Sequence, residues 1–158
     1  NVLTLDTNYN VIIDYAHTPD GIKNVLTAIR NLPISRIITV FGCGGNRDKT
    51  KRPEMGEVAT SLSDFVIVTS DNPRFENPEL IIDDIMTGIK TNNAYRIENR
   101  KKAIEYALTI AKENDVVAIL GKGAENYQDI NGVKIPYNDY EVVDNFMKNL
   151  KKGEVNYD

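Results

Sequence analysis

Ile37-Ile-Thr-Val-Phe41, followed by Gly42-Cys-Gly-Gly-Asn-Arg-Asp-Lys-Thr-Lys-Arg-Pro53, is the stretch that decides the fold. The first five residues carry no charge and are apolar or β-branched. Such a run reads as a short strand covered on both faces, the kind found in parallel sheets. A loop with three glycines leaves its carboxyl end. Pro53 then stands where a first helical residue belongs, because the missing N–H is harmless there. The unit is strand, loop, helix.

The same unit recurs on either side. Val11–Ile13, Phe65–Val68 and Val116–Leu120 read as further buried strands. Val2–Leu5 reads as an extra strand, and Ala94–Ile97 as a small one. Helical spacing links Ile22, Val25, Leu26 and Ile29, then Ile82, Ile85, Met86 and Ile89. It also links Ile104, Ala107, Leu108 and Ala111, then Val143, Phe146, Met147 and Leu150. Pro19 and Pro78 mark helix starts, with Asn77 as an N-cap before Pro78. Asn138 and Glu141 form a capping-box-like pair before the last helix. Asn131-Gly132 between Tyr127–Ile130 and Val133–Pro136 predicts a β-hairpin. The order is β-α-β-α-β-α-β-hairpin-α with a small extra strand. That is an α/β fold: an open, mostly parallel sheet with helices on both faces and a small hairpin near the C-terminal end.

Composition bounds the rest. At 158 residues, one domain spanning 1–158 is expected, large enough to bury a real core. One cysteine, Cys43, makes no intrachain disulfide, so a reducing, cytoplasmic setting is expected. One cysteine and one histidine, His17, do not build a structural zinc site. A net charge of −4 argues against a nucleic-acid or anionic-membrane partner. No apolar run approaches the ~18 residues of a membrane span, and the opening residues do not read as a signal peptide. The chain begins at Asn1 rather than Met and reads as cut from something larger.

In open α/β sheets ligands bind beyond the carboxyl ends of the strands. Four loops are expected there: Asp14-Tyr-Ala-His-Thr-Pro-Asp20, Gly42 to Pro53, Ser70-Asp-Asn-Pro-Arg74 and Gly121-Lys-Gly-Ala-Glu-Asn126. They hold nearly all the unusual polar residues. In the second, Arg47, Lys49, Lys51 and Arg52 are opposed only by Asp48. They read as an anion site beside a helix N-terminus, or as a solvated charge run. A phosphate-binding P-loop is excluded, since Cys43 and Asp48 replace its two glycines. Asp71-Asn72-Pro73-Arg74 is either a plain turn or an amide and a guanidinium fork presented to a carboxylate. Glu125 pairs with an ammonium group, lies in solvent, or is a first-turn residue near a helix terminus. His17 is a base, a ring-edge partner or part of the helix start. Asp14 is a strand-end carboxylate satisfied by a loop N–H, or a ligand contact. Cys43 reads as a packing residue rather than a nucleophile. The residues alone stop at a small-molecule site for acidic groups, with a possible ammonium partner.

All four loops, in this order, resemble the C-terminal domain of the Mur ligases, over about Tyr9 to Leu150. The branch they resemble adds 2,6-diaminopimelate to UDP-N-acetylmuramoyl-L-alanyl-D-glutamate. The resemblance implies a Rossmann-like domain of an ATP-dependent ligase in peptidoglycan synthesis, and hence in cell wall biogenesis, cell shape and cell division. ATP phosphorylates the substrate carboxylate, the incoming amine attacks the acyl phosphate, and phosphate leaves. Asp71-Asn72-Pro73-Arg74 matches the signature for meso-diaminopimelate. By this resemblance Arg74, Asn72 and Arg47 hold the distal carboxylate, while Gly121 and Glu125 meet the distal ammonium. Asp14 and His17 border the nucleotide. Lysine-adding relatives lack the arginine, and a guanidinium facing lysine's bare ammonium repels it. Ala124 stands where the family usually has histidine, and Asn46 where it often has aspartate.

The family's P-loop, its carbamoylated lysine, its Mg2+ ligands and its uridine-nucleotide domain match nothing in this sequence. The resemblance therefore implies ATP and Mg2+ in a larger enzyme, and as partners the N-terminal and central domains of the same polypeptide, the acceptor amino acid and the UDP-muramyl dipeptide. It places no catalytic residue and no metal ligand here, and implies that the chain alone is inactive. Two alternatives stand beside it. One is another Mur or folate polyglutamate ligase, which should lack the Asp71–Arg74 segment. The other is a free-standing regulatory domain that binds a nucleotide or small molecule.

Overall fold

The computed structural model describes residues 2–3 and 8–151. Among these residues eight strands and five helices follow one another: β1 (Val2–Leu3), β2 (Asn10–Asp14), α1 (Pro19–Arg30), β3 (Ile37–Phe41), α2 (Lys51–Leu62), β4 (Phe65–Val68), α3 (Pro78–Met86), β5 (Ala94–Arg96), α4 (Arg100–Ile110), β6 (Val116–Leu120), β7 (Tyr127–Ile130), β8 (Val133–Pro136) and α5 (Asp139–Lys151). The main sheet runs β1-β2-β6-β3-β4-β5. Only β1 is antiparallel to its neighbour. Thr4 and Leu5 of the expected first strand lie outside the described residues.

Side-chain alternation explains the two layers of core. In β6, Val116, Ala118 and Leu120 face a cluster built with Ile22, Leu26, Met55, Ala59, Ile82 and Ile85 of α1, α2 and α3. Val117 and Ile119 face the opposite cluster, with Ile104, Ala107, Val143 and Phe146 of α4 and α5. β3 and β6, at the centre, are buried throughout. This is the expected open α/β sheet, with helices on both faces.

The local signals act largely as the sequence implies, though α3 ends at Met86 and leaves Ile89 of the expected helical spacing beyond it. Thr18 caps α1 by accepting from the Gly21 N–H, and Asn77 caps α3 by accepting from the Glu79 N–H. Asn138 Oδ1 accepts from the Glu141 N–H. Asn131 and Gly132 take φ of 54° and 77°, the left-handed pair that a two-residue hairpin turn needs. Helix α2, however, starts at Lys51 rather than at Pro53. Pro53 is its third residue, still within the first turn, where no N–H has an intrahelical acceptor.

Candidate functional site

The loops after β2, β3, β4 and β6 meet at the carboxyl edge of the sheet and enclose a cleft of about 370 Å³. Two glycines let them close. A Cβ on Gly45 would stand 1.9 Å from the Pro73 carbonyl oxygen. The Gly45 N–H donates to the Asn72 carbonyl at 2.7 Å, so the second and third loops are locked backbone to backbone. Gly121 has φ of 117°, and a Cβ there would lie 2.7 Å from Asp71 Oδ2. Gly45→Ala is therefore expected to push the two loops apart and to cost about 1–3 kcal/mol, the scale of an overpacked core. Urea unfolding measures it, and a change under 0.5 kcal/mol would contradict the rigid contact.

One end of the cleft is held by Lys122. Its side chain is fully buried. The Nζ donates to Asn72 Oδ1 at 2.7 Å and Glu125 Oε1 at 2.9 Å, and lies 3.2 Å from Asp71 Oδ1. Asn72 Nδ2 donates to Glu125 Oε1 at 3.1 Å, and the Asp129 N–H donates to Asn72 Oδ1 at 3.0 Å. The amide of Asn72 thus has a fixed orientation, and Asp71-Asn72-Pro73-Arg74 is more than a turn. Burial raises the Glu125 pKa, but hydrogen bonds and charge from Lys122, then Asn72 and Tyr15, outweigh it and leave the carboxylate below its ordinary range. Glu125 is not a solvated surface glutamate. The Tyr15 hydroxyl stands 3.5 Å from Glu125 Oε2.

Cations border the same cleft. Arg74 takes φ of 53°, and its Nη1 donates to the Gly45 carbonyl at 2.9 Å. Its own backbone is pinned by the hairpin: the Arg74 N–H donates to Asp129 O, and Arg74 O accepts from the Asn131 N–H. Arg47 is exposed, and its Nη1 donates to the Asn46 carbonyl at 3.1 Å. Arg74, Arg47 and Lys51 all border the cleft. No carboxylate of the described residues forms an ion pair with any of the three.

The expectation of four cations acting on an anion needs correction. Arg52 is 1% exposed and is consumed internally. It donates to both Glu76 oxygens, to Asp84 Oδ2 and to the Gly44 carbonyl. Lys49 leans on the same Glu76 at 3.4 Å. The Arg52 hydrogen bonds, the Asn46 N–H and the Lys49 charge hold the Glu76 carboxyl at about 2, against an ordinary 4.5. A depressed carboxylate stabilises the fold above its unfolded pKa and loses that contribution as the pH falls through the folded one. Thermal stability is thus expected to fall between pH 4.5 and about pH 2, and Glu76→Gln should flatten that limb. Identical melting profiles for the two proteins would contradict the network.

The first loop is simpler. Asp14 Oδ1 accepts from the Ala16 N–H at 2.9 Å, the loop N–H that the sequence suggested. His17 is exposed at the cleft, with Nδ1 2.9 Å from the Tyr15 carbonyl and its ring edge-on to Tyr15 at 5.0 Å. Thr18, not His17, supplies the helix cap. Cys43 is buried with Sγ 3.5 Å from Met55 Sδ, and burial pushes its pKa up to about 12. It is a packing residue. Asn46 has φ of 54°, a conformation asparagine tolerates, and its Oδ1 accepts from the Phe75 N–H. Ala124 is exposed.

Three features escape the sequence reading: Lys122 as the hub, Tyr15 as a wall, and the buried pair of Arg100 and Asp139. That pair is bidentate at 2.9 and 2.8 Å and lies beneath the loops. Arg100 also donates to the carbonyls of Ser70, which opens the third loop, and of Leu120, which ends the strand before the fourth. The one available signal for Lys122 is its place between Gly121 and Gly123 directly after a wholly apolar strand.

No helix among the described residues is long and apolar enough to cross a membrane. A family model described as "Mur ligase, glutamate ligase domain" matches residues 2–123. The UDP-N-acetylmuramoyl-L-alanyl-D-glutamate–2,6-diaminopimelate ligase 1 of Clostridium acetobutylicum is 53% identical over 151 residues, covering 94% of this chain and 31% of the relative. A solved structure of a UDP-N-acetylmuramoyl-L-alanyl-D-glutamate–2,6-diaminopimelate ligase superposes with a TM-score of 0.90 at 40% identity, covering 96% of this chain and 31% of that one. A Mycobacterium tuberculosis folylpolyglutamate synthase complexed with ADP shares the fold, with a TM-score of 0.58 at 20% identity over 71% of this chain and 27% of its own. The chain thus spans about a third of the length of its diaminopimelate-ligase relatives.

Proposed function

The chain belongs to the Mur ligase family, as its glutamate ligase domain, and from that premise we propose that it is the acceptor-binding part of an ATP-dependent ligase that adds meso-diaminopimelate to UDP-N-acetylmuramoyl-L-alanyl-D-glutamate. The observation that carries this is the polarity of the cleft. Unpaired cations, Arg74 and Arg47, border the same space as an acidic cluster, Asp71 and Glu125 around one Lys122. An amino acid with a second carboxylate and a second ammonium complements both sets of charges. Lysine would leave the guanidinium of Arg74 without a carboxylate. The relatives named for diaminopimelate support the same acceptor.

The chemistry divides accordingly. ATP phosphorylates the glutamate carboxylate, the acceptor's amine attacks that carbon, and phosphate leaves. This chain's residues bind and orient the acceptor: Arg74, Asn72 and Arg47 toward the distal carboxylate, Glu125 and Gly121 toward the distal ammonium. His17, exposed at the cleft, and the loop that Asp14 shapes border the nucleotide. Among the described residues no three His, Cys, Asp or Glu side chains are grouped to hold a metal ion. The remaining domains of the polypeptide supply the phosphoryl chemistry and bind the UDP-muramyl dipeptide, in the cytoplasm. The 158-residue chain alone is inactive.

The test is made on the whole ligase containing this domain. Supplied with ATP and the UDP-muramyl dipeptide, it should consume meso-diaminopimelate and release ADP and phosphate, while using L-lysine far less. Equal use of the two acceptors would overturn the reading. Turnover by the isolated chain would overturn the division of labour.

A further inference from the structure

A lysine buried merely to fill space is a poor choice, since an apolar side chain of similar length avoids the desolvation cost. Lys122 is buried all the same, and its three N–H donors meet three acceptors, Asp71 and Asn72 on the third loop and Glu125 on its own. The charges around it count simply. Asp71 and Glu125 carry two negative charges against one positive. Asn72, Tyr15 and Tyr127, which also face the cluster, are neutral. The neighbouring Arg100–Asp139 pair, which acts electrostatically on Asp71 and Lys122, balances itself. One negative charge is left over. Glu125 Oε1 is taken by Lys122 and Asn72, whereas among the described residues Oε2 has only the long Tyr15 contact of 3.5 Å.

We propose that Lys122 is the positioning residue of the acceptor site, holding Glu125 and Asn72 so that a single negative charge, offered through Glu125 Oε2, is matched to one distal ammonium. The inference rests on the function proposed above and deepens it. Without the shared cation, Asp71 and Glu125 repel each other, so the ammonium would meet a displaced partner. The weak Tyr15 contact is readily exchanged for a charge-assisted one.

The experiment uses the whole ligase and two acceptors: meso-diaminopimelate, and 2-aminopimelate, which keeps both carboxylates but lacks the distal ammonium. The wild type should prefer the former. Lys122→Met should raise the KM for meso-diaminopimelate about 10- to 100-fold, the scale of a small misplacement at a binding site. The KM for ATP should stay within about twofold, and most of the preference over 2-aminopimelate should vanish. Lys122→Arg, which keeps the charge, should retain the preference. An unchanged preference in Lys122→Met overturns the inference alone. So does a uniform loss across both acceptors and ATP, or failure of both variants to fold, since Lys122 would then be structural only. A wild type with no preference overturns the proposed function, and the inference falls with it.

Discussion

Asp139→Ala should cost about 3–5 kcal/mol of unfolding free energy, the price of stranding a buried charge. Asp139 and Arg100 both have fully buried side chains. Arg100 donates to both carboxylate oxygens and to the carbonyls of Ser70 and Leu120. The Tyr137 hydroxyl donates to Asp139 Oδ1 at 2.6 Å, and burial followed by the Asp139 charge raises its pKa, keeping it a donor. Removing the carboxylate leaves the Arg100 guanidinium short of two acceptors in a place water does not reach. The double replacement Arg100→Met with Asp139→Leu should recover most of the loss, because it removes the charge as well as its partner. Urea denaturation measures both. A loss below 1 kcal/mol for Asp139→Ala would show that the pair is solvated or slack. The site should register the change too, since Ser70 and Leu120 adjoin Asp71 and Gly121.

Arg74→Ala in the whole ligase should lower kcat/KM for meso-diaminopimelate by about thirtyfold or more, the lower end of the ~2–5 kcal/mol carried by a charged partner. It should also narrow the gap to lysine. The effect should lie in the acceptor KM and leave the ATP KM unchanged, because the guanidinium reaches the second and third loops rather than His17. Arg74→Lys should restore only part of the affinity, since an ammonium lacks the planar two-pronged fit to a carboxylate. Unaltered discrimination against lysine would remove Arg74 from the acceptor site. The left-handed backbone of Arg74 is held by the hairpin on both sides, so these variants change the side chain with the loop's path retained.

The loops that build the cleft were legible because they follow apolar runs, and chain geometry sends the carboxyl ends of parallel strands to one edge. The residues that set its charge were less so. Arg47, Lys49, Lys51 and Arg52 look alike along the chain. The fold turns Arg52 inward onto Glu76 and Asp84, and leaves Arg47 and Lys51 at the cleft. Glu125 could be read as a partner for an ammonium group, but not as one already half-neutralised by a lysine three residues away.

The sequence by itself determined the strands, the helix caps, the hairpin turn and the edge of the sheet where a ligand would sit. Each follows from interactions within a few residues: an alternating apolar face, an Asn or Thr oxygen near a free N–H, a glycine where φ is positive. The tertiary structure alone decided which charges stay available. Lys122 meets Asn72 from 50 residues away, and Arg100 meets Asp139 from 39. A charge's worth depends on how deeply it is buried and what faces it, and both are set only when distant loops pack together.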